Sequence, residues 1–205
     1  MLIKLYPENP SFKHLNIISE CLRDGGIIIY PTDTVYSFGC DISKIRGVEK
    51  IARLKGIEMK NHNFSIICDD ISRLSDYVKP IPNHIFRILN KALPGPYTFI
   101  LEANNKVPKL IYRKKKQVGI RIPDNNITIE IIKNLGNPML SSSVLHEDEV
   151  LEYRTDPELI YEKYKDSVDI VIDGGFGDNN PSTIIDCTGD EIEIIRIGKG
   201  SLNIL

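Results

Sequence analysis

The 205-residue chain has no pair of cysteines at C-x-x-C spacing. Its four cysteines, Cys21, Cys40, Cys68 and Cys187, are widely scattered. That scatter excludes a zinc ribbon and a disulfide frame, and reads as reduced thiols in a cytosolic protein. No apolar run approaches the roughly 20 residues of a membrane span. Met1 to Pro7 contain no long apolar core, so no secretory signal is expected. There is no Gly-x-Gly-x-x-Gly element. Gly198-Lys199 does not close a P-loop either: Glu193 stands where the first glycine is needed, and Gly200 where the hydroxyl is needed. Repeats, low-complexity tracts and linkers are missing too. These absences leave a cytoplasmic protein without a membrane partner, with residues 1–205 as a single domain.

What is present is ordinary for a globular chain: 41% hydrophobic and 26% charged residues. The net charge of −2 hides an asymmetry. Residues 1–146 hold 21 Lys and Arg against 13 Asp and Glu, a balance of +8; residues 147–205 hold 5 against 15, a balance of −10. A basic region suits an anionic ligand such as a nucleotide or RNA. The run Arg113 to Lys116 reads as a solvated loop before a nucleic-acid contact.

The chain is organised around Gly26 to Cys40. The apolar run Ile27 to Tyr30 lies between Gly25-Gly26 and Pro31, the mark of a buried strand. Pro31 has no N–H, so pairing ends there. Thr32, Asp33 and Thr34 follow in a turn at the strand end. Three small oxygen-bearing side chains at that place suit a polar ligand, or simply cap the turn.

Before this stretch, Leu2 to Tyr6 reads as a strand. Asn9 reads as the N-cap of a helix with apolar residues at Phe12, Leu15, Ile18 and Leu22, stopped by Gly25. After it, Ser43 reads as the cap of a helix through Leu54, and Ser65 to Cys68 as a buried strand. Asn83 reads as the cap of a helix to Ala92, and a Pro-Gly-Pro turn then leads into the strand from Tyr97. Val118 to Pro123 is a strand with one charge, Arg121, between isoleucines; such a charge needs solvent or a partner. A helix spans Ile127 to Leu135 and ends at Gly136. Asp156 caps a helix through Tyr164. Strands close the chain at Val168–Ile172 and Ile192–Arg196. Helices interleaved with strands, and adjacent strands near the C-terminus, predict an α/β protein: a twisted mixed sheet with packed helices.

Pro31-Thr32-Asp33-Thr34-Val35-Tyr36 resembles the opening motif of the YrdC/YciO family, the threonylcarbamoyl-AMP synthases of tRNA modification. Further matches follow in order. Lys55-Gly56 resembles the family's phosphate-contacting Lys-Gly-Arg element, with Ile57 at the Arg position and Lys60 close enough to substitute. The wording of Asn61-His62-Asn63-Phe64 looks like the YciO subgroup. Pro94-Gly95-Pro96-Tyr97-Thr98 is similar to the family's Pro-Gly-Pro-x-Thr segment. Pro138 to Val144 aligns with the family's Ser-Ala-Asn motif, Ser142 and Ser143 standing for Ser and Ala and Val144 at the Asn position. Pro181-Ser182-Thr183 and Arg196-Ile197-Gly198 resemble two late motifs, the second with Ile for Pro.

The resemblance implies a YrdC-like (YrdC/RibB) fold with a concave basic cleft. It implies synthesis of threonylcarbamoyl-AMP and pyrophosphate from L-threonine, bicarbonate and ATP, with Mg²⁺. It places Thr34, His62, Arg121, Ser141, Ser142 and Ser143 around threonine, and Lys55, Lys60, Thr98, Ser182 and Arg196 around the nucleotide. No catalytic base and no protein metal ligand stand out. The alternative is an RNA-binding or regulatory module of the same fold with weak or no synthase activity, its partner a tRNA or double-stranded RNA. The losses at Ile57 and Val144 motivate it.

Overall fold

Ten strands form one mixed sheet among the described residues of the computed structural model, which are 1–56, 64–111, 116–144 and 155–205. They are β1 (Leu2–Lys4), β2 (Ile28–Tyr30), β3 (Ser37–Asp41), β4 (Ser65–Ile67), β5 (Tyr97–Glu102), β6 (Gln117–Arg121), β7 (Met139–Ser143), β8 (Ile170–Asp173), β9 (Thr183–Asp186) and β10 (Glu193–Arg196). Their order across the sheet is β1-β8-β2-β3-β7-β4-β6-β5-β9-β10. The helices are α1 (Phe12–Arg23), α2 (Ile45–Leu54), α3 (Asn83–Ala92), α4 (Asn126–Leu135) and α5 (Pro157–Tyr164). Ile57, Lys60, His62, Arg113 to Lys115 and residues 145–154 lie outside the described residues, and so do the expectations that fall on them.

Side-chain alternation sorts the strands' residues between two cores. One face carries Ile27, Ile29, Phe38, Cys40, Ile66, Phe99, Leu101, Val118, Ile120 and Leu140, packed under α2, α3 and α5. The other carries Ile3, Ile28, Tyr30, Ile67, Met139, Ile170 and Ile172, packed under α1 and α4. On this second face the continuing positions are small and polar: Ser37, Ser65, Ser141, Ser143, Gly119 and Thr98. A sheet face that changes from isoleucine to serine has no apolar surface for a further helix to cover. It leaves a polar cleft instead.

The mixed α/β sheet agrees with the expectation, and the helices fall close to where periodicity puts them. Three helix starts differ. Asn9 closes a turn, its N–H bonded to the Tyr6 carbonyl at 3.2 Å, so α1 begins later, with Ser11 at the N-cap and no side-chain cap. Ser43 is held in a turn by Asp41, whose Oδ1 accepts the Ser43 N–H at 2.8 Å; Lys44 then precedes α2. Asn83 is the first helical residue of α3, with Pro82 in the cap position. By contrast, Asp156 caps α5 by accepting the Glu158 N–H at 2.8 Å, and Gly136 ends α4 in the left-handed conformation, φ 81°. No element is read from the sequence at Ser37-Phe38-Gly39-Cys40-Asp41, and Ser, Gly and Asp are poor strand formers. It nevertheless forms β3, buried at every residue between β2 and β7. Tertiary pairing overrides propensity there.

Candidate functional site

The turn after β2 is built from its own hydroxyl groups. Thr32 Oγ1 accepts the Thr34 N–H at 3.0 Å and donates to the Val35 carbonyl at 2.8 Å. Thr128 of α4 donates to the Pro31 carbonyl at 2.6 Å, which ties the turn to that helix. Tyr36 reaches the other way. Its hydroxyl donates to the Gly175 carbonyl at 2.7 Å and accepts the Gly174 N–H at 3.1 Å, fixing the loop after β8. Thr32 and Tyr36 therefore hold the turn in place. Asp33 and Thr34 are the residues it presents.

Both meet Arg121 at the end of β6. Nη2 donates to Asp33 Oδ1 at 2.8 Å and to Thr34 Oγ1 at 3.0 Å. The ion pair is dry: the side chains are 7% and 8% exposed. Arg121 Nε and Asp33 Oδ2 are buried without a partner among the described residues. The lone strand charge read from the sequence thus takes a partner, not solvent. Across the β5–β6 ladder Thr98 lies level with Arg121 on the same face. Thr98 Oγ1 and Ser182 Oγ are 2.8 Å apart. Arg196 donates twice to the Ser182 carbonyl, from Nε at 3.1 Å and Nη2 at 2.8 Å. Burial, and then the charge of Arg121, hold the Arg196 pKa below its usual value, so the two guanidinium groups share one neighbourhood.

The opposite wall comes from β7 and the end of α2. Ser141 accepts a hydrogen bond from Tyr30 at 2.7 Å. Lys55, just past α2, donates to the Ser143 carbonyl. Burial pulls the Lys55 pKa down from 10.5 to about 8, because a partly buried ammonium loses hydration. A neighbouring cavity of about 470 Å³ is lined by Thr32, Asp33, Thr34, Phe176, Asp178 and Lys199, among others. There Lys199 donates to the Asp33 carbonyl at 2.7 Å and pairs with Asp178 at 2.9 Å.

The structure therefore brings Thr34, Lys55, Thr98, Arg121, Ser141, Ser143, Ser182 and Arg196 to one face of the sheet. Ser142 does not join them. It pairs with Phe38, and alternation turns it to the opposite face, toward the core under α2 and α5. Val144 is 2% exposed in that same core. Lys60 and His62 lie outside the described residues. Sequence reasoning placed Asp33 in the motif turn without its role beside Arg121, and passed over Tyr30 and Lys199. Asp33 had a signal, being a carboxylate within the motif turn. Tyr30 and Lys199 had none, because their partners are 111 and 166 residues away in the chain. Among the described residues no cluster of three or more His, Cys, Asp or Glu side chains could hold a metal ion, and no helix is long and apolar enough to cross a membrane.

The arrangement suits a small polar anion. Four cationic groups, Lys55, Arg121, Arg196 and Lys199, stand against the carboxylates of Asp33 and Asp178. Comparisons with known proteins point the same way. Residues 20–198 match the model of the Sua5/YciO/YrdC family, described as telomere recombination. The chain is 38% identical over 200 residues to the uncharacterized protein YciO of Escherichia coli strain K12, covering 97% of this chain and 95% of YciO. The crystal structure of E. coli YciO superposes with a TM-score of 0.92 at 35% identity, over 100% of this chain and 98% of that one. The crystal structure of P. abyssi Sua5 complexed with L-threonine gives a TM-score of 0.88 at 25% identity, covering 97% of this chain and 57% of Sua5. A threonylcarbamoyl-AMP synthase of Coxiella burnetii is 27% identical over 180 residues, 87% of this chain and 95% of the synthase.

Proposed function

Since the chain belongs to the Sua5/YciO/YrdC family, we propose that it is a threonylcarbamoyl-AMP synthase-like protein serving tRNA modification. It joins L-threonine, bicarbonate and ATP into threonylcarbamoyl-AMP and pyrophosphate. The observation that carries this reading is the buried contact of Arg121 with Thr34 and Asp33, on the face that also holds Lys55 and Arg196. The reaction forms a carbamate on the threonine amine, and a carbamate oxygen then attacks the α-phosphate and displaces pyrophosphate. The protein's share is positioning and charge neutralisation. Thr34, Arg121, Ser141 and Ser143 line the amino-acid end. Lys55, Thr98, Ser182 and Arg196 line the nucleotide end. A cation at a half-buried Lys55 gains most from an anionic phosphate, because burial already penalises its charge. Mg²⁺ would arrive on the nucleotide phosphates, which supply most of its ligands in such sites; the described residues offer no dedicated seat for it.

A second reading is an RNA-binding or regulatory member of the family with little synthase activity. Val144 favours it: the position of the family amide is filled by a core side chain. Pyrophosphate release decides between them, measured with ATP, bicarbonate and a panel of amino acids. Release that depends on L-threonine supports the synthase. No release with any amino acid, together with tight binding of double-stranded RNA, supports the second reading.

A further inference from the structure

Hydroxyl protons in the cleft can be counted. A serine or threonine hydroxyl has one proton to donate and two lone pairs to accept with. Thr32 gives its proton to the Val35 carbonyl, 2.8 Å away. Its 3.0 Å contact with Thr34 Oγ1 therefore runs one way: Thr34 donates to Thr32. Thr34 Oγ1 also accepts from Arg121 Nη2 at 3.0 Å. Its proton is committed, and one lone pair is left.

Ser141 has the opposite balance. Tyr30 is fully buried, and burial pushes its pKa up to about 12, so it stays protonated. Its phenol donates to Ser141 Oγ at 2.7 Å. The ring spans from β2 to β7 because Gly39 of β3 lies between them. A Cβ at Gly39 would stand 2.7 Å from the Tyr30 ring. Ser141 Oγ accepts that hydrogen bond, and its own proton has no acceptor among the described residues. The Tyr30 phenol also feels the charges of Arg121 and Asp33, so both hydroxyl groups belong to one neighbourhood.

We propose that Tyr30 and Thr32 are positioning residues that set the hydrogen-bond polarity of the cleft, so that Ser141 meets a ligand as a donor and Thr34 meets it as an acceptor. The identity of the ligand rests on the proposed function; the polarity rests on the proton count alone. The ligand class is a small molecule with an oxygen acceptor, such as a carboxylate or carbamate, at Ser141, and an O–H or N–H donor at Thr34. Asp33 balances the Arg121 charge, so charge alone does not make the Thr34 corner an anion site. A second anionic oxygen there would face a lone pair and be rejected.

The test is a double-mutant cycle on the full chain, using Tyr30→Phe, Ser141→Ala and the double variant. Tyr30→Phe keeps the ring and its packing, and a thermal midpoint close to wild type checks the fold. L-threonine is titrated calorimetrically into each. Tyr30→Phe should weaken binding about three- to tenfold in the wild-type background, the range of one net hydrogen bond. It should weaken binding less than about twofold when Ser141 is already alanine, because the orienting bond has no recipient. Equal losses in both backgrounds overturn the proposal. A ligand-free arm reads the slowly exchanging Tyr30 hydroxyl proton by NMR. It should be present in wild type and lost or shifted in Ser141→Ala; a proton unchanged by that substitution overturns the proposal. If wild type shows this proton but does not bind L-threonine, the proposed function falls, and the polarity of the cleft is supported without it.

Discussion

Arg121 concentrates the physical tension of the site. A guanidinium at 7% exposure is stable only beside its counter-charge, and Asp33 supplies it. Removing one partner of a buried pair costs more than the pair contributes, because it leaves an uncompensated charge. Arg121→Ala should therefore lose about 3–5 kcal/mol of unfolding free energy in urea titrations. Adding Asp33→Asn should recover part of that loss. A single variant as stable as wild type would mean that water reaches Asp33. Lys55 carries a second tension, with the opposite pH signature. Its pKa is about 8 in the folded protein against 10.5 unfolded. Between those values the unfolded state binds more protons, so stability rises as pH goes from about 8 toward 10.5. Lys55→Met should flatten that rise in urea titrations at pH 7.5 and 9.5. An anionic ligand beside Lys55 should raise its pKa and take up protons on binding near pH 8.5. Calorimetry in buffers of different ionisation enthalpy measures that uptake.

At the scale of one element, β7 divides the serine run. The run reads from sequence as three equivalent hydroxyl groups followed by a missing amide. Alternation separates them: Ser141 and Ser143 face the cleft, Ser142 and Val144 the core. Val144→Asn is thus not a simple repair of a family motif. It places an amide where the native side chain is 2% exposed among apolar neighbours. The expected cost is at least about 1–3 kcal/mol, the penalty of an unsatisfied buried polar group. A urea midpoint unchanged from wild type would show that the amide finds hydrogen-bond partners despite its apolar surroundings. The strand that precedes it in the sheet teaches the complementary lesson. β3 is written in residues that disfavour strands, yet Gly39 is needed there to let the Tyr30 ring pass.

Across the whole molecule, chain halves that differ in charge are interleaved in space. Lys4 pairs with Asp173 at 3.6 Å, and Lys50 with Asp169 at 3.5 Å, so acidic residues of the C-terminal part meet basic residues of the N-terminal part. β1 at the N-terminus pairs in parallel with β8, Ile3 beside Ile172. β5 pairs with β9 in the same way, Phe99 beside Ile185. Every strand of the sheet but β10 thus has a partner distant in sequence. Residues 1–205 should unfold as one cooperative unit, with coincident transitions by circular dichroism and tyrosine fluorescence. Two separated transitions would divide the chain into independent domains.

The sequence by itself determined the helices and most of the strands, because hydrophobic period, Gly and Pro punctuation and the Asp156 cap act over a few residues. It also determined the motif turn and the lone charge of Arg121, whose oddity between two isoleucines is local. The tertiary structure alone decided the rest. It decided that β3 is a strand, because its neighbours supply the pairing its residues do not favour. It decided that Asp33 neutralises Arg121, that Tyr30 orients Ser141 and that Lys199 reaches the motif turn, because those partners are between 88 and 166 residues apart. And it decided which serines face the cleft, because a strand's faces acquire meaning only when one of them is covered by helices.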